Sequence, residues 1–320
     1  MSGLAFTALA VMLVGPVPAF LARATWPLRA PRAAMVLWQA IAVAAVLSAF
    51  SAGIAIASRL FVPGADGRPT ASPAAEIGRL GWPLWLLDVA VFALTLLIGA
   101  RLAVAVIRVA VSTRRRRAHH RMLVDLLGLS SDAPSLSARA CVRGRRDLRV
   151  LEVAQPLAYC LPGVRGRVVV SEGTLDSLAE AEVAAILGHE RAHLRARHDL
   201  VLEAFTAAHA AFPRFVRSAS ALDAVQLLAE LLADDAAVRV AGRAPLARAL
   251  VTCASGRTPL GALAAGGTHT LLRVRRLSGS GNSLWVSTAA YLAAAAVLIV
   301  PTVALAIPWL TELHRLFTAA

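Results

Sequence analysis

Two histidines and a glutamate stand at a spacing that suits metal-assisted hydrolysis. The segment His189-Glu190-Arg191-Ala192-His193 has the pattern H-E-x-x-H. Residues four apart on an α-helix lie about one turn apart on the same face, so the two imidazoles can hold one zinc ion. Glu190 can then act as general base on a water molecule at the open coordination position. The alternative is a helix that carries two surface histidines and a glutamate without a metal.

A catalytic zinc site needs a third protein ligand. Glu203 follows His193 by ten residues, about 15 Å along a continuous helix, so one ion cannot reach both. His198 and Asp199 are closer, but neither falls on the helix face of both motif histidines. The third ligand is therefore expected on another element.

The best candidate is Glu230 in the segment Glu230-Leu231-Leu232-Ala233-Asp234. Its predicted helix can return antiparallel after a break at Pro213, and Asp234, one turn on, can orient a ligand histidine. The alternative is a solvated acidic helix face. Most flanking residues are leucine and alanine, which leaves this helix little solvated face.

The elements that position these residues follow from periodicity and turn residues. One helix is predicted from about Asp176, with Ser177 and Glu180 as a capping box, past His193 to a stop by Pro213. The other predicted elements are strands at 148–153, 158–161 and 167–171, helices at 222–240 and 244–254, and a loop over 255–282 that is rich in Gly, Ser, Thr and Arg.

The composition excludes an ordinary soluble domain and a disordered chain. Apolar residues make up 58% of the 320 residues, charged residues 16%, and the mean hydropathy is +0.66. Stretches of about 20 apolar residues can cross a bilayer. Four such spans are predicted, at Leu4–Ala22 (kinked by Pro16 and Pro18), Ala34–Phe61, Trp82–Val111 and Leu284–Leu310. Asp88 and Arg101 lie near the ends of the third span, where snorkelling would account for them.

The arginines orient these spans. All 33 basic residues are arginine, and the net charge is +14, but charge alone does not predict nucleic-acid binding beside such long apolar runs. Basic clusters follow the first span, end the third and precede the fourth, so they share one side if the N-terminus is outside. We therefore expect a membrane domain (1–112), a cytoplasmic catalytic domain (113–283), and the fourth span with a short outer tail (284–320). Three widely spaced cysteines form no disulfide framework; Cys141 and Cys160 are predicted to be buried.

These features resemble the BlaR/MecR-type family of membrane zinc metallopeptidases over nearly the whole chain. The resemblance rests on three spans before a cytoplasmic zinc domain and one after it. It also rests on Leu161-Pro162-Gly163 followed by Val168-Val169-Val170-Ser171, on Leu187-Gly188-His189-Glu190-Arg191-Ala192-His193-Leu194, and on Glu230-x-x-Ala233-Asp234. It implies a four-span helical membrane protein with an inserted α+β gluzincin-type metallopeptidase domain, in which Glu230 is the third ligand of one zinc ion.

Two departures from the family pattern matter. The chain ends about ten residues beyond the last predicted span, so we expect a short form without the penicillin-binding sensor domain and without a β-lactam receptor role. Better-known relatives have an acidic residue five positions after the second histidine. Here that position is His198, and Asp199 follows it.

The resemblance predicts a zinc-dependent endopeptidase that cleaves a cytoplasmic protein in regulated signalling. Its candidate substrates are a winged-helix repressor of the BlaI/MecI type and the chain itself, and no direct nucleic-acid binding is expected. The alternatives are an HtpX-like membrane quality-control protease, which shares H-E-x-x-H and E-x-x-A-D, and a non-catalytic membrane signalling scaffold. A strand at Val168–Val170, if it lies at a sheet edge, could pair with an extended substrate.

Overall fold

The structure is a computed structural model, and the chain it describes is mostly helical with a small sheet. The described residues are 2–57, 62–63, 69–70, 73–127, 129–130, 147–163, 166–212, 219–254, 263–264, 269–279, 283–307, 310–311 and 314. The helices are α1 (Ser2–Val14), α2 (Pro16–Arg23), α3 (Pro31–Ala57), α4 (Pro73–Leu80), α5 (Trp82–Leu127), α6 (Glu172–Ser177), α7 (Glu180–Ala196), α8 (His198–Ala211), α9 (Ala219–Ala241), α10 (Arg243–Cys253), α11 (Thr270–Ser278) and α12 (Leu284–Pro301). The strands are β1 (Val62–Pro63), β2 (Pro69–Thr70), β3 (Leu129–Ser130), β4 (Leu148–Leu151), β5 (Ala158–Leu161), β6 (Arg167–Ser171) and β7 (Leu263–Ala264).

Four helical stretches are long and apolar enough to cross a membrane, as the sequence predicts. They are Gly3–Arg23, Pro31–Ile56, Trp82–Leu126 and Leu284–Ala304. The first consists of α1 and α2, which meet at Gly15 where Pro16 begins α2, so the helix is interrupted at the predicted position. These helices support the prediction that the chain is a membrane protein.

The third apolar helix continues far beyond its apolar part. α5 has 46 residues and passes through the arginine run without a break, so the predicted boundary at residue 112 falls inside a helix. Its second half packs against the sheet, where Val124 joins a buried cluster with Tyr159 and Leu161. The division into domains stays a prediction.

A five-stranded sheet of order β3-β4-β6-β5-β7 lies between α5 and α7. β4 and β6 are parallel, and the other neighbours are antiparallel. One face, with Val168 and Val170, shares a core with α7 and α10. β6 is an interior strand with a partner on each side, so the expectation that Val168–Val170 could add a substrate strand is wrong.

The helices around the site differ from the sequence prediction in two places. The single helix predicted from Asp176 to Pro213 is three helices, and α7 ends at Arg197, which has a left-handed backbone (φ 51°). Ser177 ends α6, so the predicted capping box is wrong; the carboxylate of Glu182 accepts from the backbone N–H of Ala179 instead (3.0 Å). The predicted loop over 255–282 contains α11.

α9 belongs to two buried clusters at once. Val225, Leu228 and Leu231 pack with Leu13 and Trp38 of the apolar helices α1 and α3. Ala237, two turns beyond Glu230, packs in the core shared with α7 and the sheet. The helix expected to supply the third ligand therefore lies directly between the apolar bundle and the rest of the fold.

Candidate metal centre

α7 presents the H-E-x-x-H residues to the interior of the molecule. His189, Glu190 and His193 each have 0% of their surface exposed. The two imidazoles lie one helical turn apart, and their Nε2 atoms face each other at 3.1 Å. The helix spacing on which the sequence prediction depends is therefore present, and the alternative of surface histidines does not describe this helix.

Glu230 of α9 closes the group. Its Oε2 lies 3.4 Å from Nε2 of His189, and its Oε1 lies 3.5 Å from Nε2 of His193. All three ligand atoms lie within 4.8 Å of one another, so His189, His193 and Glu230 could hold a metal ion. α9 and α7 pack along their lengths, which places Glu230 opposite the two histidines although it lies 37 residues after His193 in the chain.

The residues present fit a zinc ion. Ligand atoms about 2.0–2.1 Å from a tetrahedral zinc ion are roughly 3.3–3.4 Å apart. The two histidine Nε2 atoms are 3.1 Å apart, and each lies 3.4 or 3.5 Å from a different oxygen of the Glu230 carboxylate. Imidazole nitrogen and carboxylate oxygen are ligands that zinc prefers. Two imidazole nitrogens and a carboxylate oxygen that converge in this way form a donor set that a cation could occupy.

Burial and the neighbouring charges shift the pKa values of all three residues. Burial lowers the pKa of His193 to about 3, which leaves its imidazole neutral. Burial opposes the ionisation of Glu230, but His193, His189 and Arg273 lower its pKa to about 2. Burial also lowers the pKa of His189, yet its contacts with Asp234 and Glu230 raise that pKa to about 9.

Asp234 and Arg273 contact His189 and Glu230 and hold them in position. Oδ1 of Asp234 lies 3.0 Å from Nδ1 of His189. Arg273 of α11 binds Asp234 with two nitrogens, Nε at 2.8 Å and Nη2 at 2.6 Å, and its Nη1 lies 2.8 Å from Oε2 of Glu230. A bidentate arginine–carboxylate pair fixes geometry as well as charge. Both carboxylates are thereby held in place towards the histidines.

Arg273 is the residue of this group that the sequence prediction missed. It is fully buried, and it lies in the segment predicted as a loop. Leu277 follows it by four residues, a spacing that is typical of one face of a short helix, and this was the signal that could have been used. The residue type alone gave no signal, because all 33 basic residues of the chain are arginine.

Glu190 is fully buried on the side of α7 that faces β5. Neither carboxylate oxygen has a hydrogen-bond partner within the part of the chain that the structure describes, and burial raises the pKa of Glu190 to about 7. The Cys160 thiol of β5 interacts electrostatically with it, and burial followed by Glu190 raises the pKa of that thiol well above its usual range. Cys160 is buried as predicted, and Cys141 lies outside the described residues.

The residues rejected as third ligands lie elsewhere. Asp199 and Glu203 of α8 both pair with Arg117 of α5, at 3.2 and 2.6 Å. His198 lies behind His193, with the two Nδ1 atoms 3.0 Å apart. Arg101, predicted to snorkel, donates from Nε to the carbonyl of Ala211 at the end of α8 (3.1 Å).

Comparison with known proteins gives one match, to the model of a protein family. No curated protein and no solved structure matches the chain significantly. Residues 135–289, just under half of the chain, match the model of peptidase family M48. That match contains the whole His189, His193, Glu230, Asp234 and Arg273 group, and it supports a zinc metallopeptidase domain of family M48 in this chain.

Proposed function

We propose that this chain is a zinc-dependent membrane endopeptidase that hydrolyses peptide bonds of a cytoplasmic protein. The observation that carries the proposal is the group of the two buried histidines His189 and His193 with the partly buried Glu230, beside which Glu190 lies on the helix of the histidines. The match to family M48 supports the reaction class, and the four apolar helices support a membrane location. In this proposal His189, His193 and Glu230 are the metal ligands, and Glu190 is the catalytic residue.

The side chains have separate tasks in the proposed reaction. A zinc ion held by His189, His193 and Glu230 would supply Lewis-acid chemistry and make a water molecule easier to deprotonate. Glu190 acts first as a general base, which takes a proton from the attacking water. It then acts as a general acid, which delivers this proton to the leaving amine. The carboxylate of Asp234 lies 3.0 Å from Nδ1 of His189, on the ring edge away from the group, and this contact would favour the orientation in which Nε2 faces a metal.

We further propose that the cleavage serves regulated signalling, with a repressor of the BlaI/MecI type or the chain itself as substrate. The order of three spans, catalytic segment and one span supports this over an HtpX-like quality-control role, in which we expect a different distribution of spans. A gene for a small winged-helix repressor next to this one would favour signalling. The buried carboxylate of Glu190, which has no hydrogen-bond partner among the residues that the structure describes, argues against a scaffold, because metal binding alone needs no base there.

The substitution Glu190→Gln tests the proposed reaction. The amide keeps the shape of the side chain but cannot accept a proton, so we expect zinc to remain bound while proteolysis falls by about 10²–10⁴-fold. The measurement is zinc per protein together with cleavage of a casein-type substrate or of the chain itself. Arg191→Gln, a change at a half-buried neighbour that pairs with Asp147, is the matched control. Full cleavage by the Glu190→Gln variant would refute the assigned mechanism.

A further inference from the structure

Each of the two motif histidines has a partner on its second ring nitrogen, and the two partners differ. Nδ1 of His189 lies 3.0 Å from the carboxylate of Asp234. Nδ1 of His193 lies 3.0 Å from Nδ1 of His198. The His193 and His198 rings meet edge to face, with centroids 4.9 Å apart and planes at 84°. Both rings are buried, with 0% and 5% of the residue surface exposed.

Two imidazole nitrogens at this distance require that one carries the proton and the other accepts it. Nε2 of His193 faces Nε2 of His189 and the carboxylate of Glu230, so this is the nitrogen available to a metal. A neutral imidazole that binds a metal through Nε2 carries its proton on Nδ1. The Nδ1–H of His193 must therefore donate, and Nδ1 of His198 must accept.

We propose that His198 is a positioning residue: a neutral imidazole whose Nδ1 accepts from Nδ1–H of His193 and so fixes the tautomer and ring orientation of that ligand. The proposal rests on the metal site proposed above and deepens it. His198 cannot itself be a ligand of the same ion in this arrangement, because its Nδ1 is directed to the side of the His193 ring opposite the group.

Contacts from a second element hold His198 in place. It is the first residue of α8, directly after Arg197, whose left-handed backbone turns the chain out of α7. The next residue, Asp199, is 2% exposed and pairs with Arg117 of α5, which also pairs with Glu203 one turn further along α8. The start of α8 is thus fixed to α5, and the imidazole does not depend on its own rotamer preference alone.

The partner determines how strongly the ligand is polarised. A carboxylate that accepts from a ligand histidine raises the basicity of that histidine, and such partners typically affect metal affinity by about 10–100-fold. At His193 the acceptor is the uncharged imidazole of His198. This partner orients the ring, but it polarises His193 less than the carboxylate of Asp234 polarises His189. An acidic residue at position 198 would supply both effects.

Zinc affinity of the full chain in detergent, measured by competition with a chelating dye, tests this role. The informative pair is His198→Asn and His198→Leu, because the two side chains are similar in size and only asparagine places an acceptor near the position of Nδ1. We expect the leucine variant to bind zinc about 10–100-fold more weakly and the asparagine variant to stay within a few-fold of wild type. The control His209→Leu changes a half-buried histidine on the same helix and should leave the affinity unchanged.

Each outcome decides the proposal. Equal affinities of wild type and His198→Leu, or equal losses in the leucine and asparagine variants, would overturn it. If His198→Leu fails to fold in zinc-free melting, His198→Asp decides: a carboxylate acceptor predicts affinity at or above wild type, and a weaker site overturns the role. A folded wild type that binds no zinc would instead refute the metal site and the proposed function.

Discussion

Glu230 contacts two imidazole nitrogens and one guanidinium group within 3.5 Å. Arg273 approaches Oε2, while Oε1 is directed to His193, so the two oxygens of one carboxylate face different partners. A buried carboxylate is costly unless it is paired or coordinates a metal. Here the arginine secures the orientation of Glu230 and leaves an oxygen directed to the histidines.

The substitution Glu230→Ala tests the third ligand. Two histidines alone leave zinc short of the three protein ligands typical of catalytic sites, so we expect zinc content and activity to be lost together. Elemental analysis of the purified protein measures zinc per chain. Asp223→Ala, which removes an exposed carboxylate from the same helix, is the matched control and should keep its zinc. Glu203→Ala and Asp199→Ala test the alternative: undiminished zinc in Glu230→Ala, with loss in either of these, would move the ligand to α8.

The residues of the site differ in how far the sequence could predict them. His189, Glu190 and His193 follow from helix periodicity, which is a local property. Glu230 and Asp234 could be placed on one face of a helix, but their position opposite α7 depends on packing between helices. His198 was excluded as a ligand, and its contact behind His193 depends on the turn at Arg197, where the sequence has neither glycine nor proline.

At the scale of elements, the main difference from the sequence prediction is α11. Glycine and serine around it favoured a loop, and its nine residues are too few for a strong periodic signal. In the structure α11 has two buried or half-buried arginines one turn apart. Arg273 binds the carboxylates at the site, and Arg276 binds Asp235 of α9 (2.6 Å) and the carbonyl of Leu28 (2.7 Å). Tertiary ion pairs therefore fix a helix that its sequence specifies weakly.

The substitution Arg273→Met tests the contribution of α11. It leaves Asp234 and Glu230 without their cation, and breaking a buried ion pair typically costs about 3–5 kcal/mol. We expect a lower thermal midpoint in the zinc-free protein and weaker zinc binding. Arg275→Met, an exposed neighbour on the same helix, is the control and should melt like wild type. An unchanged midpoint for Arg273→Met would contradict this view of α11.

At the scale of the whole molecule, the apolar bundle and the metal group share helix α9. Val225 and Leu228 are buried against the first two apolar helices, while Glu230 and Asp234 face α7 on the other side. The backbone N–H of Ser283 also donates to the carbonyl of Arg29, which joins the start of α12 to the segment before α3 (2.9 Å). The proposed catalytic centre therefore lies close to the membrane helices, with no intervening linker at α9.

The distribution of arginine predicts the orientation of this assembly. We propose that the N-terminus and the C-terminus lie outside and that the catalytic segment lies in the cytoplasm, because the basic clusters then share the inner side. A fluorescent protein that matures only in the cytoplasm should be bright when inserted near Ser280 and dark when fused to Ala320. The reverse pattern would exclude a cytoplasmic substrate.

The unbroken course of α5 has a mechanical consequence. A 46-residue helix is about 69 Å long, more than twice the roughly 30 Å of a bilayer's hydrocarbon core. Rotation by about 10°, well inside the roughly 0–40° range of membrane-helix tilts, moves a point about 35 Å along this lever by about 6 Å. This displacement is larger than the 3.2 and 2.6 Å distances over which Arg117 pairs with Asp199 and Glu203 of α8. If α5 adjusts its tilt to the thickness of the bilayer, as apolar helices do, the change would be transmitted through Arg117 to α8, the helix that begins with His198.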